Sequence, residues 1–230
     1  MVVLQVEEIT DGEGTEEARI DGLPGYQAAI ERLAEEGLVD SARVGITGFS
    51  RTGWYVLDSL IREPHRFRAA TLAESTYMSF GEFLINADYV GPGRIKDMVA
   101  GIGAAPFGVG LSQWTKASLG FNTDKIQTPI LFQANSPPTL IYAWDLYAAL
   151  RLQGKPVDLL YIRNGQHVLN KPLERFASQE MAVDWYDFWL NDHEDPDGTK
   201  AEQYRRWREL RRLQRAQTSN PENASGEWRR

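Results

Sequence analysis

The sequence predicts an α/β protein, in which a mostly parallel sheet carries helices on both faces. Three observations point there. Short apolar, β-rich runs alternate with stretches of helical periodicity along most of the chain. A length of 230 residues suits one domain with a large core. A glycine-flanked serine turn, Gly48-Phe-Ser-Arg-Thr-Gly53, sits where one such run hands over to a helical stretch.

The elements follow in order. Residues 2–6, Val-Val-Leu-Gln-Val, read as a short buried strand, and the acidic segment 7–21 as a loop. Tyr26, Ala29, Ile30, Leu33 and Ala34 recur at helical spacing, with Pro24 near the start of the helix and Gly37 near its end. Residues 43–49 form the next strand. Trp54, Leu57, Leu60 and Ile61 mark the helix after it, closed by Pro64, and residues 69–73 a third strand. Residues 76–127, rich in glycine and aromatics, break the rhythm and predict an insertion of short helices over the sheet edge. There Tyr77, Tyr89 and Trp114 either wall a pocket or simply pack a lid. Alternation then resumes with a strand at 130–133, a helix at 141–152 and a strand at 157–162. A long helix at 173–190 has Met181, Trp185, Phe188 and Trp189 on its apolar face. The expected division is a domain over 1–192, a linker and charged helix over 193–217, and a disordered tail over 218–230.

Composition narrows the function. Hydrophobic residues are 42% and charged residues 25% of the chain, which excludes a mostly disordered or fibrous protein. No run of about 18 apolar residues suggests a membrane span. Nor does the start resemble a signal peptide, so a cytoplasmic home is expected. Cysteine is absent, which removes thiolate nucleophiles, disulfides and cysteine metal sites. The net charge of −7 argues against nucleic-acid binding. No metal or cofactor motif is present: three scattered histidines lack ligand spacing, and no phosphate loop follows a strand.

The chemistry centres on Ser50. A strand–turn–helix with small flanking residues is the setting of a nucleophile elbow, although Thr52 stands where the usual Gly-x-Ser-x-Gly pattern has its second glycine. A serine needs a base. His65, at the end of the following helix, and His193, in the acidic linker, read as surface residues. His167 follows the last strand, in the Ser-then-His chain order of an α/β-hydrolase. For the third member two residues compete. Asn135 comes first by sequence position, just after the strand at 130–133, and Glu74 comes first by chemistry, because it is an acid at the end of the preceding strand. Asp145, inside a helix, reads as surface. The backbone N–H of Arg51 would supply one oxyanion donor; a second donor is not identifiable in the 49 residues before Ser50.

The run Arg43-Val-Gly-Ile-Thr-Gly-Phe-Ser-Arg-Thr-Gly53 resembles the elbow of the prolyl oligopeptidase family of serine peptidases, and so does the stretch 148–158 before the histidine loop. Within that family, Gly165-Gln-His-Val-Leu-Asn-Lys-Pro172, Glu174-Arg175, Ala177-Ser-Gln179, the segment 183–190 and the segment 202–210 are similar to the lasso peptide isopeptidases. The resemblance implies an α/β-hydrolase domain with Ser50 as nucleophile and His167 as general base. It also implies hydrolysis of peptide amides, with the isopeptide bond that closes a lasso ring among the candidates. Family members normally carry a β-propeller ahead of this domain. The chain is therefore expected to be N-terminally shortened, and its open sheet edge near residues 2–6 to favour a homodimer or a missing N-terminal segment. Two alternatives stay open: an inactive hydrolase-fold binding module or fragment, and a general esterase.

Overall fold

The computed structural model describes residues 2–6 and 16–219, with side chains over 2–6 and 23–217. Its sheet has, among these residues, four parallel strands in the order β1 (Gly45–Phe49), β2 (Ala69–Ala73), β3 (Ile130–Ala134) and β4 (Val157–Tyr161). The central strands β2 and β3 are almost wholly buried, and so they read as continuous small or apolar runs rather than as alternating ones. The register aligns Phe49 with Ala73 and Ala73 with Gln133, so the carboxyl ends of β1, β2 and β3 lie side by side. Side chains that follow these three strands therefore converge on one rim.

Helices cover both faces. On one lie α1 (Glu16–Glu35), α2 (Thr52–Arg62) and α6 (Pro137–Leu152), which contribute Leu23, Ile30, Leu57, Leu60, Leu146 and Leu150 to the main core. On the other lies α7 (Pro172–Asn191), packed on β2 and β3 and covered in turn by α8 (Ala201–Ser219). Trp185, Phe188, Trp189, Tyr204 and Trp207 interlock there, mostly edge to face, with centroid distances of 5.1 Å for Trp185–Trp207 and 5.4 Å for Tyr204–Trp207. Such pairs add about 0.5–1.5 kcal/mol each beyond area burial. Charge fastens the same joint. Lys200, ahead of α8, bonds Asp184 of α7, Asp195 and Glu180. Burial works to lower its pKa, yet these bonds hold it above the ordinary lysine value. Despite its arginines, α8 is thus anchored by a buried aromatic face.

Three expectations are corrected. Residues 2–6 form no strand and stand exposed, Val3 at 85%. A β-rich run becomes a strand only when a neighbour pairs with it and a face is covered. The sheet edge on that side is β1 itself. Next, α1 starts at Glu16 rather than near Pro24, which lies well inside it. The loop expected over 7–21 is therefore replaced by helix from residue 16, and its first part, 7–15, lies outside the described residues, as does the tail beyond 219. Finally, the insertion does not ride over the sheet edge. Its helices α3 (Phe80–Tyr89), α4 (Pro92–Ile102) and α5 (Leu111–Ala117), with the 3-10 turns beside α5, stack through α2 and α6 on the main-core face. Trp114 is fully buried against Phe80 and Phe83, and Tyr77 against Phe132, so these rings pack the cap, whereas Tyr89 is exposed. Buried Glu82 organises that cap: it accepts from the amides of Tyr77 and Met78 at 2.7 and 2.9 Å and from Arg94 at 2.8 Å.

Among the described residues no helix is long and apolar enough to cross a membrane.

Candidate active site

The serine turn is built by close approach. A side chain at Gly48 would meet the backbone of Gly53 at 2.7 Å, and one at Gly53 would meet the Ser75 hydroxyl at 2.1 Å. The glycine that lets strand and helix meet is therefore residue 53, not 52, and the threonine leaves the turn intact. Ser50 itself has φ = 56°, in the left-handed region that costs a side-chain-bearing residue of order 1–3 kcal/mol. Its amide donates to Ala73 O at 3.0 Å, and its carbonyl accepts from Thr76 N–H and Gly53 N–H, both at 3.2 Å. Backbone bonds on every side hold the strained residue in place.

One strand over, Glu74 has φ = 48° and is likewise strained. Its amide donates to Gln133 O at 2.8 Å, and its carboxylate is fully buried. One oxygen accepts from the amides of Asn135 and Ser136, the latter at 3.2 Å, and from the Thr139 hydroxyl at 2.5 Å. These donors form the N-terminus of α6, whose dipole favours a negative charge there. The other oxygen lies 3.3 Å from His167 Nδ1. His167 Nε2 in turn lies 3.0 Å from Ser50 Oγ. A carboxylate only accepts, so Nδ1 carries the proton and Nε2 presents its lone pair to the serine hydroxyl. The imidazole is half-exposed, at the end of a loop that passes through Asn164 at φ = 64°, and its ring packs on Phe49 with centroids 5.0 Å apart. The arrangement has the form of a nucleophile, a base and an orienting acid.

The structure therefore brings Ser50, His167 and Glu74 together and leaves the Asn135 side chain out. Asn135 is buried, and its Oδ1 has no hydrogen-bond partner among the described residues; its contribution is the backbone N–H given to Glu74. As a partner of the imidazole Asn135 is corrected, because its side chain packs beneath Gly165 instead. Arg51, in helical conformation at the N-cap of α2, puts its backbone directly after the serine at a helix N-terminus. His65 is exposed in the turn after α2, and His193 pairs with Asp187 at 3.6 Å. Asp145 accepts from Gly81 N–H, two turns along α6 from the site.

No protein-family model matches the chain. It is 34% identical over 197 residues to the lasso peptide isopeptidase AtxE2 of Asticcacaulis excentricus, a match covering 83% of this chain and 26% of that protein. A solved structure of a variant of that isopeptidase with an astexin bound aligns at 33% identity and TM-score 0.73, over 86% of this chain and 29% of the other. The domain has the α/β-hydrolase fold of these peptidases. The fold recurs at 21% identity in a puromycin-hydrolyzing peptidase of Mycobacterium tuberculosis, with TM-score 0.59 over 77% of this chain and 26% of that one. The chain spans about a quarter of the length of the curated relative it matches.

Within this α/β-hydrolase domain, sequence reasoning missed the residues that hold the acid. Ser136 and Thr139 flank two prolines directly after β3, a helix-start signature with Pro137 at the first helical position. The N–H groups freed at such a start need an acceptor. That requirement was the available signal that a carboxylate from a neighbouring strand ends there.

Proposed function

We propose that this chain carries the catalytic site of a serine hydrolase that cleaves peptide or isopeptide amide bonds through an acyl-enzyme. One observation carries the reading: His167 Nε2 stands 3.0 Å from Ser50 Oγ while its Nδ1 faces the buried Glu74. In the first step His167 takes the hydroxyl proton as Ser50 Oγ attacks the carbonyl carbon. The negative charge on the carbonyl oxygen is met by the Arg51 N–H at the start of α2. The carbon–nitrogen bond breaks as the imidazolium returns the proton to the amine. Water, deprotonated by His167, then cleaves the ester and releases Ser50. Glu74 fixes the tautomer and stabilises the imidazolium in both steps.

A peptide substrate, and specifically one closed by an isopeptide bond, is favoured by the 34% identity to a lasso peptide isopeptidase. A second reading, a hydrolase-fold binding module, is favoured by the outer edge of β1, which no described strand pairs. Labelling with a fluorophosphonate probe separates the two. The enzyme reading expects labelling of the wild type that is lost in both Ser50→Ala and His167→Ala; a folded wild type that does not label supports the binding module. Turnover of a lasso peptide against a simple p-nitrophenyl ester then separates an isopeptidase from a general esterase.

A further inference from the structure

We propose that Thr52 and Phe49 form a latch that positions the imidazole of His167, an inference that rests on reading Ser50 and His167 as nucleophile and base. The need for a latch comes from the sheet edge. Ser50 N–H points at β2, donating to Ala73 O, so by the alternation of a strand the amide and carbonyl of Phe49 point to the open side of β1. No described strand pairs them. Thr52 does: its hydroxyl accepts from Phe49 N–H at 2.8 Å and donates to Phe49 O at 2.7 Å. A glycine at 52, the residue the elbow pattern would place there, offers no such group. With its backbone closed on both sides, Phe49 holds its ring against His167 at 5.0 Å, although the residue is itself 44% exposed. The imidazole needs this wall. It is half-exposed on a loop, and its remaining polar contacts are the 3.3 Å approach to Glu74 and the 3.0 Å approach to Ser50. The threonine that departs from the elbow pattern thus has a function of its own, and Phe49 and Thr52 are positioning residues.

Three histidines make the test direct, because the imidazole signals of His65, His167 and His193 can be assigned with single His→Gln variants. Nuclear magnetic resonance of the full chain should show the His167 C–H signals shifted by the Phe49 ring current. Phe49→Leu should remove that shift, Thr52→Val should reduce it, and Thr52→Ser, which keeps the hydroxyl, should retain it. The rate of fluorophosphonate labelling should fall about tenfold in Thr52→Val and Phe49→Leu and recover to within about twofold in Thr52→Ser, as expected for a reacting group displaced by a fraction of an ångström. Unchanged His167 signals in Thr52→Val would overturn the latch, and so would a moved signal with an unchanged labelling rate. If the wild type does not label at all, the proposed activity fails, while the signals alone still decide whether Thr52 and Phe49 hold the imidazole.

Discussion

Glu74→Gln is the sharpest perturbation of the proposed site, because the amide keeps the shape of the carboxylate and changes only what it does. The oxygen facing α6 receives two amide N–H groups and a hydroxyl, so the amide oxygen of the variant must lie there. Its NH2 then faces His167 Nδ1, where it donates rather than accepts. That reverses the tautomer, putting the proton on Nε2 and removing the lone pair that Ser50 needs. The charge term can be worked separately. An imidazolium and a carboxylate about 3.3 Å apart attract by about 4–5 kcal/mol at an effective dielectric constant of about 20. Half-exposure of the ring lowers this, so about 4 kcal/mol, or about 10³ in rate, is expected from charge alone. The tautomer effect brings the loss toward the ~10⁴ seen for the corresponding Asp-to-Asn exchange in serine proteases. Stability should fall by only about 0.5–1 kcal/mol, the interaction of the lost charge with the helix N-terminus. The assay is the second-order rate of fluorophosphonate labelling, with a thermal melt as the control for folding. Asn135→Ala is its counterpart: the variant keeps the backbone N–H and should label within about threefold of wild type, since no hydrogen bond is lost. A folded Glu74→Gln that retains more than a tenth of the wild-type rate, or an Asn135→Ala that falls as far, would refute this account.

Three further outcomes follow from the packing. Gly53→Ala would drive a methyl group to within 2.1 Å of the buried Ser75 hydroxyl; urea denaturation should show a loss of about 3 kcal/mol or more, at the upper end of overpacking costs. Trp207→Ala removes a ring packed between Trp185 and Phe188 and leaves Asp158 without its 2.7 Å indole donor. It should cost about 3–5 kcal/mol and raise hydrogen exchange across α8. Tyr186, partly buried and with its hydroxyl donating to Ile46 O, has its pKa raised by burial from 10.0 to about 12. A folded pKa above the unfolded one means that stability is intact below pH 10 and is lost as pH rises from 10 toward 12. The melting temperature should fall across that window, with buried Tyr77 contributing, and Tyr186→Phe should make the fall shallower.

Much of the fold was legible because β2, β3 and the apolar face of α7 announce themselves as runs or stripes that only burial explains. The failures share a physical cause: each depended on a partner that the local sequence does not name. Residues 2–6 have strand composition but no described strand beside them, and the rings of residues 77 and 114 could equally have lined a pocket or filled a cap until α2 and α6 were in place. The acid of the site is the clearest example. Chain order pointed to Asn135 and chemistry to Glu74, and no spacing rule could choose between them. The choice is made by the parallel register of β2 and β3, which sets Glu74 beside the start of α6, and by the left-handed backbone of Glu74, which turns its side chain along that rim. In the proposed reading the orienting carboxylate comes from the end of β2, and Asn135, at the end of β3, serves it through its backbone N–H alone.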